Sequence, residues 1–353
     1  TLPIFRRQSR DRNIDDFSVT NQTEFYAKFD TGSIGHTLLT GLELSYDSYR
    51  NQGYNRAGTC NNLAIPANTN FNFVGCVPAG FTTGGYNTVG QTYGNLASGQ
   101  AKGIAPYIND TIQLLPEVKV VAGVRYDVYD AIVGNSWNQL NGLSTTSIAY
   151  AQQTTYFTSV RAGVIYQPQP WQMYYASYST SFNPSLEQLT STTGSTQPLP
   201  PENNEAFEVG AKYDLLHNQL SLTGALFQIT KNNARTQNTD GTYNATGQIQ
   251  VQGFRTGVAG SVTPEWSMWG GYPYLNARIT QGVAANTTGA VPLNTPQDSA
   301  TLWTTYTFDK KWEIGGGPTY LGQRYANNTD TVSVPGFVRF DAIAAFKAEK
   351  YDI

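Results

Sequence analysis

Residues 117–130, EVKVVAGVRYDVYD, alternate with a period of two. Val118, Val120, Ala122, Val124, Tyr126 and Val128 fall on one side of the chain, and Lys119, Val121, Gly123, Arg125, Asp127 and Tyr129 on the other. In a strand, successive side chains point to opposite faces, so this is a strand with one apolar and one polar face. The reading repeats at 206–215, where Phe207, Val209, Ala211, Tyr213 and Leu215 oppose Ala206, Glu208, Gly210, Lys212 and Asp214. It repeats at 337–347, where Val338, Phe340, Ala342, Ala344 and Phe346 oppose Phe337, Arg339, Asp341, Ile343 and Lys347. Over 219–231 and 248–262 it is less clean, and a bulge that shifts the register is expected there.

These runs read as strands of ~12 to 16 residues, against a mean of about five or six in globular sheets. They also exceed the ~9 to 11 residues that cross a bilayer at a tilt. Short turns fall at 31–35, 115–117, 167–170, 217–218, 263–265 and 309–311. Between them lie long polar segments at 51–102, 131–152, 184–203, 233–247, 281–297 and 327–334. Short turns at one end and long loops at the other are the pattern of a transmembrane antiparallel β-barrel. Trp171, Trp266 and Trp312 directly follow short turns, while Tyr46, Tyr49, Tyr178, Phe182, Tyr272 and Tyr274 lie toward the long-loop end. Two aromatic girdles are expected from that placement. Pro273 falls inside a strand and calls for a bulge or a strand end. About thirteen strands can be counted, an odd number, and free sheet edges are prohibitive in lipid. The segment alone is therefore not expected to form a closed pore.

The composition agrees with an all-β membrane protein. Of 353 residues only 13% are charged and 13% are aromatic, with 34 Gly and 23 Tyr. Disorder is excluded by the aromatic content and a net charge of -3. Nucleic-acid binding is not expected, because 22 Lys and Arg against 25 Asp and Glu leave no cationic footprint. Cys60 and Cys76 share one loop-like stretch without CxxC spacing or a nearby histidine, so no metal site is expected. Two readings stand for the pair: a loop disulfide, which is preferred, or two free thiols. The N-terminal TLPIFRRQSRDR has no apolar core of a signal peptide, and FKAEKYDI stops where a strand ends. The expectation is a segment of a longer chain.

Several stretches carry a resemblance. They are YASYSTSFNPS at 175–185, LPPENNEAFEVGAKYDLL at 199–216, QLSLTGALFQITKNNAR at 219–235 and GFRTGVAGSVTPEW at 253–266. Further on come PLNTPQDSATLWTTY at 292–306 and YLGQRYANNTDTVSVPGFVRFDAIAAF at 320–346; upstream, 6–43 and 109–127 are of the same kind. As a set they resemble the TonB-dependent siderophore receptors of the bacterial outer membrane, closest in character to catecholate receptors. That family builds 22 strands around a plugged lumen. The resemblance implies that residues 1–353 are a partial barrel domain, equivalent to roughly strands eight to twenty, with the plug domain and TonB box outside this chain. It further implies uptake of a ferric siderophore driven by the TonB–ExbB–ExbD complex. Lipid and lipopolysaccharide would surround the barrel, and iron would enter only as cargo, with no resident cofactor.

No catalytic constellation is present: GxSxG, HExxH and a phosphate-binding glycine loop are all missing from the sequence. Gly315–Gly317 is read as relief of packing within a strand, and His36 and His217 as solvated residues of the short-turn end. A bulky, aromatic, anionic ferric catecholate calls for arginines and aromatic faces. On the long-loop side these are Arg50, Arg56, Tyr86, Tyr93, Trp137, Arg235, Tyr243, Arg324 and Tyr325. Arg125, Arg161 and Arg339 belong to the polar strand face, as lumen-lining or plug-contacting residues, with Asp127, Glu208 and Asp341 as expected partners. Arginine placed at Gly123 or Gly210 on that face is expected to be tolerated better than at Val120, Val124, Val209 or Phe340, unless packing against the plug is tight. A passive porin is the competing class, and haem, cobalamin or another chelate the competing cargo.

Overall fold

The computed structural model describes residues 4–8, 11–56, 59–60, 63–64, 73–78, 91–135, 149–184, 186, 199–237, 243–282 and 286–346. Its main body is one antiparallel sheet of 13 strands, each paired with its sequence neighbour and with no crossover. We number them β1 (Asp11–Thr31), β2 (Ile34–Arg56), β3 (Gln91–Leu115), β4 (Val118–Asn135), β5 (Ala149–Gln169), β6 (Gln172–Asn183) and β7 (Glu202–Leu215). The second half comprises β8 (Leu220–Gln237), β9 (Tyr243–Ser261), β10 (Trp266–Gln281), β11 (Ser299–Phe308), β12 (Trp312–Leu321) and β13 (Phe337–Phe346). The end strands β1 and β13 are not paired with each other, so the sheet is open.

The strands are longer than the sequence suggests. β1, β2, β3 and β5 run to 21, 23, 25 and 21 residues. Pairing continues through Asn51–Arg56 against Gln91–Ala97, which read as loop. The reason is that a ladder needs only backbone partners, and polar residues above an apolar band keep it going without hydrophobic periodicity.

Tight turns fix the registers. Gly32, with φ at +66°, opens the β1–β2 turn in the manner of a hairpin whose first central residue is left-handed. Between β11 and β12, Asp309 and Lys310 have φ of 47° and 60°, and the Lys311 N–H donates to Phe308 O. Two left-handed central residues match the right-handed twist of the flanking strands. Pro273 of β10 pairs with Arg255 of β9 in regular register. On its other side the ladder to β11 ends at Gly271 and Thr301, so its missing N–H leaves no gap. Within β12 a Cβ on Gly316 would fall 2.8 Å from Asp341 O. The glycine run therefore does relieve close backbone approach.

Large apolar side chains cover one face and are not buried: Phe25, Val209, Leu226 and Phe340 are 62%, 60%, 66% and 76% exposed. In water such a surface would collapse. The opposite face is polar and glycine-rich. Its packed part lies toward the long-loop end, where Leu186 from the β6–β7 connection joins Tyr49, Ala101, Ala131 and Val133. Tyr49 is thus buried on the polar face and does not belong to a girdle. Girdle aromatics do form on the apolar face at the short-turn end. Trp171 and Tyr174 meet Tyr213 at 6.1 and 6.0 Å, and Trp312 meets Phe346 at 4.5 Å. At the other end Phe17 pairs with Tyr46, Tyr178 with Phe207, and Phe254 with Tyr272 and Tyr274. Phe182 instead stacks on Phe157 at 4.6 Å.

Candidate functional site

The cross-strand register builds the polar face row by row. Glu24, Gly41, Tyr107, Arg125 and Ser159 form one row across β1–β5, and Glu43, Ala105 and Asp127 lie in the next. Arg125 donates through Nη1 and Nη2 to Glu43 at 3.1 Å each, and through Nε to Asp127 at 2.9 Å. This is a two-pronged guanidinium–carboxylate pair with a second carboxylate at its side. Its Cζ also lies 5.9 Å from the centre of the Tyr107 ring. Tyr107 donates to Glu24, as does Gln22 at 2.9 Å. The Tyr107 ring lies over Gly41, where a Cβ would be 2.5 Å from Tyr107 Cζ.

A similar arrangement recurs on β6–β9. Tyr175 lies over Gly210 and donates to Glu208 at 2.6 Å, and Arg255 donates to the same carboxylate at 2.8 Å. The expected lumenal pairs are therefore found for Arg125 with Asp127 and for Arg339 with Asp341 at 2.8 Å. Glu208 is taken by Arg255. Arg161 is exposed and has no carboxylate within ion-pairing distance among the described residues. Glu24, Glu43, Tyr107, Tyr175 and Arg255 escaped the sequence reading. Only parity within each strand could have pointed to them, and parity does not say which rows align.

The proposed ligand residues are not brought into one cluster among the described residues. Arg50 is exposed at 4.0 Å from Asp15, and Tyr93, 80% exposed, meets the Tyr54 ring at 5.7 Å. Arg235 donates to the Asn183 and Pro184 carbonyls at 3.2 and 2.8 Å, and its backbone N–H to Glu202 at 2.9 Å. Arg324 donates to Asn294 at 2.9 Å, and the Tyr325 carbonyl accepts from Asn294 N. These last two lie where the β10–β11 and β12–β13 loops dock, through Val291 N on Asp330 and Leu293 N on Asn328. Tyr86 and Trp137 lie outside the described residues, as do the side chains of Arg56, Tyr243, Cys60 and Cys76.

Burial raises the pKa of the Glu202 carboxyl. Hydrogen bonds from Lys231 Nζ and Arg235 N, with their charges, outweigh that effect, and the net direction is down. Glu202 opens β7 at the loop end of the sheet. At the opposite end the sequence reading is corrected. His36 is not a solvated bystander: it stacks on Phe29 at 4.9 Å, its Nδ1 bonds the Asp110 carboxylate at 2.7 Å and its Nε2 shares a hydrogen bond with the Thr31 hydroxyl.

The geometry is an open sheet with a lipid-compatible outside, a polar inside and, at one end, the described loops 286–298 and 322–336 docked on each other. The chain matches the family described as TonB dependent receptor-like, beta-barrel, over residues 3–352. It belongs to that family, a β-barrel of the bacterial outer membrane. Among curated relatives, it is 28% identical over 363 residues to the probable TonB-dependent siderophore receptor PiuA of Acinetobacter baumannii, covering 95% of this chain and 47% of PiuA. It is 29% identical over 355 residues to the catecholate siderophore receptor Fiu of Escherichia coli, covering 93% and 45%. The crystal structure of PiuA superposes with a TM-score of 0.81 at 27% identity, covering 97% of this chain and 51% of that one. The closed form of Fiu, a ferric-catecholate import receptor, gives 0.76 at 25% identity, covering 96% and 49%. The chain spans about half the length of the curated relatives it matches.

Proposed function

We propose that the whole protein is an outer-membrane receptor for energised uptake of a ferric siderophore, with the catecholate type favoured. The observation that carries this reading is the similarity to PiuA and Fiu along nearly the whole chain. Its polar face adds physical support. Carboxylates and arginines pair there within a strand or across an intervening one, and the described residues form no ring of one charge sign of the kind that lines a selective pore. In this reading the loops capture the iron complex, with Arg50, Arg56, Tyr86, Tyr93, Trp137, Arg235, Tyr243, Arg324 and Tyr325 as candidate contacts. A plug then reports occupancy, and TonB with ExbB and ExbD opens a path along the wall. No reaction chemistry is assigned to the chain.

The test is uptake of iron-labelled catecholate siderophore by iron-starved cells carrying the full-length protein, with and without a proton-motive-force uncoupler. Uptake abolished by the uncoupler supports the proposal. Uptake that persists supports a passive channel. Absence of uptake with the barrel folded redirects the cargo to haem, cobalamin or another chelate.

A further inference from the structure

Toward the long-loop end, β10 changes partner. Its ladder with β11 stops at Gly271 and Thr301, and beyond Pro273 the returning chain takes over the edge. Leu275 N–H donates to Gln297 O at 2.7 Å, Ile279 N–H to Ala290 O at 2.9 Å, and Gly289 N–H back to Ile279 O at 2.7 Å. Ala277, Ile279, Thr287 and Ala290 are buried along this seam. The β12–β13 loop continues the layer. Gly322 N–H donates to Asp298 O at 3.0 Å, Asn294 N–H donates to Tyr325 O at 2.7 Å, and Arg324 and Tyr325 pair with Val334 and Ser333. Side chains then bond amides that the backbone leaves open. Both Asp330 carboxylate oxygens accept from Val291 N–H, at 3.1 and 3.2 Å, and Asn328 Oδ1 accepts from Leu293 N–H at 2.8 Å. Asn286, Asn294 and Asp330 turn the chain at φ of 63°, 56° and 57°, the left-handed region that Asn and Asp tolerate.

We propose that 286–298 and 322–336 form one fixed panel of the barrel mouth, an outward extension of the sheet whose two loops stay joined while cargo is captured. A loop held only at its ends opens at little free-energy cost. Here the first loop is bonded to β10 on one side and to the second loop on the other, so parting the two breaks the bonds at Val291, Leu293, Asn294 and Gly322 together. The panel is thus preorganised, and a ligand that meets it does not have to order it first. Asp330 is the clamp, because one carboxylate fixes the middle of the opposite loop. The inference rests on the transport reading only in naming capture as the event during which the panel keeps its bonds.

The test has two arms. The first is hydrogen exchange on the full-length protein in detergent, without cargo. The Val291, Leu293 and Asn294 amides should exchange at least about a hundredfold more slowly than in an unstructured peptide. Asp330→Ala should speed Val291 about tenfold while the β8 and β9 amides keep their rates, which shows the barrel intact. Exchange at the unstructured rate in the unaltered protein, or an unchanged Val291 in Asp330→Ala, overturns the panel. In the second arm, Leu293→Cys and Asn328→Cys are combined and joined by a short bismaleimide on cells, with the linker-treated unaltered protein as control. Uptake of ferric dihydroxybenzoate should match the control. Uptake that the unlinked double variant keeps and the linked one loses also overturns the panel, because the loops then have to part. Slow exchange that Asp330→Ala relieves, without ferric dihydroxybenzoate uptake by the unaltered protein, leaves the panel standing and removes the transport reading.

Discussion

The ring of Tyr175 lies flat across Gly210 of the next strand: a Cβ on that glycine would fall 2.5 Å from Tyr175 Cζ. The two residues are register partners on β6 and β7, and the Tyr175 hydroxyl reaches Glu208, two residues along from the glycine. A missing side chain on one strand thus sets the orientation of a ring on its neighbour.

Gly210→Ala should therefore lift the ring and strain its bond to Glu208, destabilising the barrel by about 1–3 kcal/mol as overpacking does. Gly224, which has nothing within 4 Å of an added Cβ, should accept alanine almost without cost. Urea unfolding of the full-length protein in lipid vesicles compares the two. Equal effects would mean that the ring is not seated on the glycine.

The same contact revises the expectation for arginine substitutions. Gly123 and Gly210 are on the polar face, yet each is covered by a neighbouring side chain, Asn109 and Tyr175. Arginine there is expected to be as damaging as on the apolar face. Ala206, a register partner of Ser179, is the fairer polar-face position. Arginine at Val209 or Leu226 should cost about 2–4 kcal/mol near the midplane, against less than about 1 kcal/mol at Ala206. Refolding titrations that rank Ala206 with Val209 would reverse the assignment of the two faces.

Arg125→Ala leaves Glu43 and Asp127 facing each other without their cation. The expected loss is about 1–3 kcal/mol, below the 3–5 kcal/mol of fully buried pairs because part of the guanidinium surface is exposed. Arg339→Ala breaks a pair whose side chains are 65% and 47% exposed, and should change stability by less than about 1 kcal/mol. Denaturant midpoints of the two variants, measured side by side, decide whether burial governs the difference.

Glu202 has a folded-state pKa below its ordinary value. Its carboxylate therefore contributes stability above the ordinary carboxylate range and loses it as the pH falls through the lowered value. Unfolding midpoints at about pH 7 and about pH 3 should differ more for the unaltered protein than for Glu202→Gln. Lys231→Met, which removes the partner at 2.9 Å, should reduce the difference in the same direction. An unchanged pH dependence in both variants would remove Glu202 as its source.

The period-two alternation of 117–130, the long strands and the contrast of short turns with long loops follow from the chain alone, because side-chain direction along a strand is a local property. Hence the barrel architecture, the apolar exterior and the polar placement of Arg125, Arg161 and Arg339 were legible before any coordinates. Partner choice was not. Which carboxylate meets which arginine depends on how rows from different strands align, and that is decided by turn geometry and bulges summed over the sheet. So Glu208 went to Arg255, Tyr49 turned out to be buried in a cluster with Leu186, and His36 proved to be held by Asp110 from 74 residues away. Loop candidates such as Arg235 were legible as residues but not as contacts, since nothing local to Arg235 says that it will bind the Asn183 and Pro184 carbonyls.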